Sequence, residues 1–208
     1  MVACAKSNIE LVQELFRRNV DVNYQDVNGA TCLHAAVEYN LPIVQELIDR
    51  GADVTLMVEE MTAYQLARMQ YNDEIQRIIL KPIMGKDTDK LIELTRLFDH
   101  KIIKDVDERI AKLLSVLSPY FERSRLIGDI LGAYYYVKAQ ETSGSSSKQA
   151  FQLGLKYSLP RKSSYLAYLS IYPEIEVAEQ ALVNFPGDAN LLLIKANILL
   201  QQKSTMNL

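Results

Sequence analysis

The chain repeats itself. Ile9–Asn23 (IELVQELFRRNVDVN) aligns with Leu41–Thr55 (LPIVQELIDRGADVT) at an offset of 32 residues. Seven of the fifteen positions coincide: Val12/Val44, Gln13/Gln45, Glu14/Glu46, Leu15/Leu47, Arg18/Arg50, Asp21/Asp53 and Val22/Val54. A weaker third copy follows at a spacing of 31, where Thr62–Ala67 (TAYQLA) echoes Thr31–Ala36 (TCLHAA). Self-similarity with a period of about 20–50 residues constrains a fold more than any single motif. One such unit cannot bury its apolar face alone, so neighbouring units must stack.

Each unit reads as two short helices and a turn. Leu33, Ala36 and Val37 space as one apolar helical face. Pro42 stands where a first helical turn tolerates proline, and Ile43, Val44, Leu47 and Ile48 form a second apolar face. Gly51 is placed to end that helix in the left-handed region. Asn28-Gly29 is a tight-turn signal ahead of the next unit.

The run Asp26–Ala36 (DVNGATCLHAA), followed by Gly51–Val54 (GADV), resembles an ankyrin repeat. Cys32 replaces the usual proline, and the loop between the helices is about one residue short. The first unit begins inside its first helix, as a half-repeat cap or a fragment would. The third has Gln65 in place of the histidine and lacks the turn glycine, which suits a terminal cap. The resemblance covers residues 1–80. It implies that Thr31, His34, Gly29 and Gly51 are structural, with the Thr31 hydroxyl and the imidazole fixing the turn and tying it to the next unit. The alternative is a catalytic His34 beside Cys32 or Cys4. No acidic orienter at a suitable spacing supports it.

The resemblance also implies that a protein partner is held by turn tips and inner helices. The first tip offers Tyr24, Gln25, Asp26 and Val27; the second offers Met57, Glu59 and Glu60. Leu56, Met57 and Val58 could instead pack against the third unit. Inner-helix candidates are Glu38, Tyr39, Arg68 and Gln70.

Charge is unevenly spread. Residues 1–80 hold 6 Lys and Arg against 12 Asp and Glu, net -6, and the remainder 17 against 14, net +3. The acidic half suggests a partner of basic character, and the overall net charge of -3 argues against nucleic-acid binding. The change of sign, with Pro82 and Gly85, suggests a domain boundary between residues 80 and 87.

Residues 87–208 also read as helices. Helical stretches are expected at Asp87–Phe98, Ile103–Leu117, from Ser118-Pro119 to Gln140, at Lys148–Ser158, Ser163–Tyr172, Pro173–Phe185 and Ala189–Gln202. Thr142–Ser147 (TSGSSS) reads as an exposed loop. No segment alternates with period two, so no strand is expected. Ala178–Asp188 followed by Leu191, Leu193, Ala196 and Leu199 resembles a tetratricopeptide-like unit over residues 126–203, with a generic bundle as the alternative. Tyr134, Tyr135 and Tyr136 cannot all face a core, since successive helical side chains turn by about 100°. Tyr135 is kept as a partner-binding candidate, against the plainer reading of two core rings and one partly exposed edge. The fold class expected is all-α: an ankyrin stack continuing into a helical-hairpin region, solenoid or bundle.

Catalytic patterns are wanting. Gly85-Lys86-Asp87-Thr88 ends like a phosphate loop, but Leu80 stands where the earlier glycine is required. Asp105, Asp107 and Glu108 read as helix-start acids, and His100 as a helix-end cation. Arg109, Lys112, Arg123 and Arg125 read as solvated faces rather than a basic patch. No metal or cofactor is expected. Two cysteines cannot build a disulfide framework, and no secretory leader, glycosylation sequon or membrane span is visible. These features together suggest a cytoplasmic interaction module, adaptor or scaffold, monomeric or weakly self-associating. Ankyrin units beside an undistinguished helical region also resemble host-directed effectors of intracellular bacteria, in which that region would carry an activity.

Overall fold

The computed structural model describes residues 2–38 and 40–206. Among the described residues the elements are helices apart from one ribbon of two two-residue strands, so the fold is all-α. It divides into two compact units, Met1–Ile127 and Gly128–Leu208.

In the first unit, α1 (Val2–Ala5), α3 (Cys32–Val37) and α5 (Ala63–Met69) pack in one row. A second row is formed by α2 (Ile9–Arg17), α4 (Leu41–Asp49) and α6 (Asp73–Met84). Leu33, Ile43, Leu47, Ile75, Ile79 and Leu80 are buried in this unit's core.

The period of 32 is visible in the caps. Asn8, Asn40 and Asn72 each precede a second-row helix, and each Oδ1 accepts the backbone N–H three residues on: Leu11 at 2.9 Å, Ile43 at 3.0 Å and Ile75 at 3.1 Å. Such a cap is worth about 1 kcal/mol over alanine. The chain reversals repeat too. Ser7, Asn19, Gly51, Tyr71 and Lys101 all have positive φ. After each of them the next N–H returns to a carbonyl in the last helical turn: Asn8 to Ala3, Val20 to Leu15, Ala52 to Leu47, Asn72 to Ala67 and Ile102 to Leu97.

The repeats run on into α7 (Thr88–Asp99), which packs on α6 and on α8 (Val106–Leu117). No open linker separates them. Helix α6 continues through Lys81 and Pro82, and a single 3-10 turn, Gly85–Asp87, leads into α7. Pro82 is exposed, so the carbonyl it leaves without an intrahelical donor can turn to water. Arg68–Asp99 (2.5 Å), Arg77–Asp89 and Arg96–Asp73 pair the third repeat with α7.

Four expectations need correction. A ribbon does form: β1 (Met57–Val58) pairs antiparallel with β2 (Met61–Thr62), too short for any period-two pattern to show. The helix expected from Ser118 is broken, with a 3-10 turn at Ser118–Tyr120 and α9 starting only at Arg125 (Arg125–Glu141). Arg109 is buried rather than solvated, because its guanidinium donates to the carbonyls of Ile103 (2.6 Å) and Lys104 (3.0 Å). The serine run is not a loop: α10 spans Gly144–Tyr157, and the buried Ser147 hydroxyl donates to the Ala139 carbonyl at 2.8 Å. Gly144, at φ 61, supplies the turn that lets helix begin so soon.

The second unit begins within α9 and continues through α10, α11 (Lys162–Ile171), α12 (Ile175–Asn184) and α13 (Ala189–Met206). Phe151 is met edge-on by Tyr136, Tyr168 and Tyr172 at centroid distances of 6.0–6.4 Å. The chain approaches itself closely at glycine. A Cβ on Gly132 would lie 2.9 Å from the Ser158 nitrogen, and one on Gly154 would lie 2.6 Å from the Tyr136 ring. Asp129, 1% exposed, receives a two-pronged pair from Arg161 (2.5 and 2.8 Å) and the Leu159 N–H (2.9 Å).

Candidate functional site

The first turn tip is closed by hydrogen bonds from its backbone and from the Gln25 and Asp26 side chains. The Asp26 N–H donates to the Ala30 carbonyl, while its carboxylate Oδ1 accepts from the Asn28 and Ala30 N–H groups, all at 2.9 Å. Gln25 Nε2 donates to the Gly29 carbonyl at 2.9 Å, and Gly29 has φ 84. Asp26 and Gln25 therefore shape the tip. Tyr24, 61% exposed, and Val27, 100% exposed, are what it presents.

Thr31 caps α3. His34 Nδ1 accepts the Thr31 N–H at 3.1 Å, and the Thr31 hydroxyl lies 2.8 Å away. This leaves the proton on Nε2, which donates to the Leu56 carbonyl at 3.1 Å. Burial holds the imidazole below its ordinary pKa, which keeps it neutral and in this tautomer. In the next unit Thr62 and Gln65 form the same box, with the Thr62 N–H donating to Gln65 Oε1 at 2.8 Å.

The second tip is the β1–β2 ribbon. Glu59 and Glu60 connect its strands, both at positive φ. Met57 is half-buried in β1 and Glu59 is exposed. The tips touch: the Asp53 N–H donates to Asn23 Oδ1 at 2.7 Å.

Beside the second tip lies an open cavity of about 480 Å³, lined by Met61, Gln65, Arg68, Met69, Tyr71 and Asp99. Met69 and Tyr71 are 67% and 74% exposed. Tyr71 has φ 54, an uncommon conformation for a bulky residue. The Arg68–Asp99 pair forms the polar part of the lining. Gln70 is exposed at the end of α5, and Glu38 is exposed just past α3. Tyr39 lies outside the described residues.

Residues 1–91 match the ankyrin repeat family in three copies. These residues are ankyrin repeats. The match reaches past residue 80 into α7. No curated protein and no solved structure matches the chain.

The ankyrin repeats thus bring the two tips, the Thr31–His34 box and Arg68 into one compact unit. Tyr135 does not join them. It belongs to the second unit, is 8% exposed, and stacks on Tyr157 at 5.7 Å with the rings 8° from parallel. A ring covered in this way offers no exposed anchor, so Tyr135 is withdrawn as a contact residue. His34 is equally unsuited to act as a base for a thiol, because both ring nitrogens are engaged within the ankyrin framework. The Cys4 thiol is pushed well above its ordinary pKa by its hydrogen bond with Cys32 and by burial. Among the described residues no group of three or more His, Cys, Asp or Glu is placed to hold a metal ion. No described helix is long and apolar enough to cross a membrane.

Sequence reasoning passed over Met61, Met69, Tyr71 and Asp99. The signal for Tyr71 was its place just before Asn72, where the chain must reverse. A large side chain there has its backbone in the left-handed region and its ring in water.

Proposed function

We propose that the chain is a non-catalytic adaptor that holds a protein partner on the ankyrin tips and the cavity beside α5. The observation that carries this reading is the exposure of Tyr24, Val27, Met69 and Tyr71 within one compact unit, two of them lining a 480 Å³ cavity. Aromatic residues and Met are enriched at protein interfaces, and Met adapts its shape to a partner. Arg68 and Asp99 supply polar groups at the same place. The tips add Asp21, Asp26, Asp53, Glu59 and Glu60, a field that favours a basic segment. Glu38 and Gln70 extend the contact along the inner-helix side, where Tyr39 also falls in the sequence. A cytoplasmic site accords with Cys4 and Cys32 sharing a hydrogen bond as thiols rather than a disulfide.

The test is capture from cell lysate on the full chain, followed by calorimetry with the purified partner. Two variants run beside it, Met69→Glu/Tyr71→Ala and Tyr24→Ala/Val27→Ala. A partner bound by the native chain and weakened at least tenfold by the first pair supports the cavity as the centre of the site. Undiminished binding to both variants overturns the reading.

A further inference from the structure

The last helix carries an apolar face that its own unit leaves open. Helix α13 buries Leu191 and Ile198 beside α12. On the opposite side, Leu192, Leu193, Leu199 and Leu200 are 49%, 61%, 41% and 62% exposed, and Ala196 between them is exposed as well. A soluble helix usually turns charge outward there. No carboxylate occurs from residue 189 to residue 206, and the two cations are Lys195, paired with Glu179 at 3.0 Å, and Lys203.

The pattern is symmetric. Counting from Ala196, leucines stand three and four residues before it and three and four after. We propose that this face is an interface between two copies of the chain, paired antiparallel about a twofold axis passing Ala196. In that arrangement Leu192 meets the partner's Leu200, and Leu193 meets the partner's Leu199. The small Ala196 at the axis lets the two backbones come close. An isologous contact needs a self-complementary patch of this kind.

Charge selects the direction. A parallel pair would set Lys203 against the partner's Lys203. The antiparallel pair places the two lysines at opposite ends of the strip and leaves Asp188 with Lys162, to which it is already paired. The strip is on the order of 400 Å² on each copy, within the size of functional patches on monomers. Two copies bury about 800 Å² together, below the roughly 1,200 Å² of a stable interface and in the size class of weak, transient encounters. The dimer is therefore weak and forms reversibly as concentration rises.

The test is sedimentation velocity on the full chain from about 1 µM to about 1 mM, a range that brackets weak association. The weight-average mass of the native chain should climb toward twice that of one copy. Leu193→Asp/Leu200→Asp should stay monomeric throughout, with its helical circular dichroism and melting temperature kept. Ile171→Asp, which changes an exposed apolar residue on α11, should dimerise as the native chain does. Geometry is read separately, in a Cys4→Ala/Cys32→Ala background. Ala196→Cys should be joined efficiently by a short bismaleimide. Ser204→Cys should not, since antiparallel pairing leaves those positions about 24 Å apart. A native chain that stays monomeric at every concentration overturns the proposal and assigns the strip to a different protein. So does a double aspartate variant that still dimerises. Equal linking at both cysteine positions overturns the antiparallel arrangement.

Discussion

His34 Nε2 lies 3.1 Å from the carbonyl oxygen of Leu56, twenty-two residues along the chain. This hydrogen bond ties the second ankyrin unit to the ribbon that opens the third. It needs a neutral ring, since Nδ1 must accept from Thr31 while Nε2 donates.

Burial lowers the folded pKa of His34 below its ordinary 6.5. The unfolded chain therefore takes up a proton at His34 more readily than the folded one. Stability from this group is complete above about pH 6.5 and declines as pH falls through that value toward the folded pKa. Gln65 shows that a glutamine can close the same box on a threonine. Hence His34→Gln should keep the α3 cap, lose about 1 kcal/mol at pH 7.5 with the Leu56 bond, and be less sensitive to acid. Urea unfolding at pH 7.5 and pH 5.5 checks this: the gap between the two proteins should narrow at the lower pH. Parallel curves would sink the assignment.

Glu59 and Glu60 occupy a two-residue hairpin connection with φ of 50° and 64°. Such connections favour Asn-Gly, because an L side chain in the left-handed region costs about 1–2 kcal/mol. Glu59→Asn/Glu60→Gly should raise stability by about 1–2 kcal/mol in chemical denaturation. The same change should weaken binding of a basic partner and flatten its dependence on salt. A gain in stability with unchanged binding would remove the two glutamates from the docking face.

The Asp129–Arg161 pair is asymmetric in burial. The Asp129 side chain is 1% exposed and that of Arg161 11%. Arg161→Ala strands a buried carboxylate and should cost about 3–5 kcal/mol in the second unit. Asp129→Asn removes the buried charge and keeps an oxygen for the Leu159 N–H, so its cost should be clearly smaller. Equilibrium unfolding of the two variants ranks them, and the reverse order would refute the argument.

Gly132→Ala tests the close approach of the chain around α9 and α10. The added methyl would press on the Ser158 nitrogen at 2.9 Å, a backbone atom that cannot rotate away. A loss of about 1–3 kcal/mol is expected, as for overpacked cores. Alanine normally stabilises a helix interior relative to glycine, so a rise in melting temperature would show that the approach is slack.

The ankyrin units were legible because their signals are local and recur. Gly29, Thr31 and His34 announce a turn and a cap within six residues, and Gly51 announces a helix end in the same repeat. The serine run was misread because serine is at home both in loops and in the first turn of a helix. What decides is Ser147 finding the Ala139 carbonyl across the chain reversal. The ribbon was missed because Glu59-Glu60 carries no turn signal.

Periodicity along one chain is enough to specify helices, their caps and the apolar face each must bury, since these depend on neighbours three or four residues away. Packing between distant segments settled the rest. It placed α7 against the third repeat through the Arg68–Asp99, Arg77–Asp89 and Arg96–Asp73 pairs, and α7 and α8 in one compact unit with the repeats. It covered Tyr135 with Tyr157 and left Met69, Tyr71 and the leucines of α13 open to water. Burial is a property of what comes to lie against a side chain, and that partner is contributed by residues far away in the sequence.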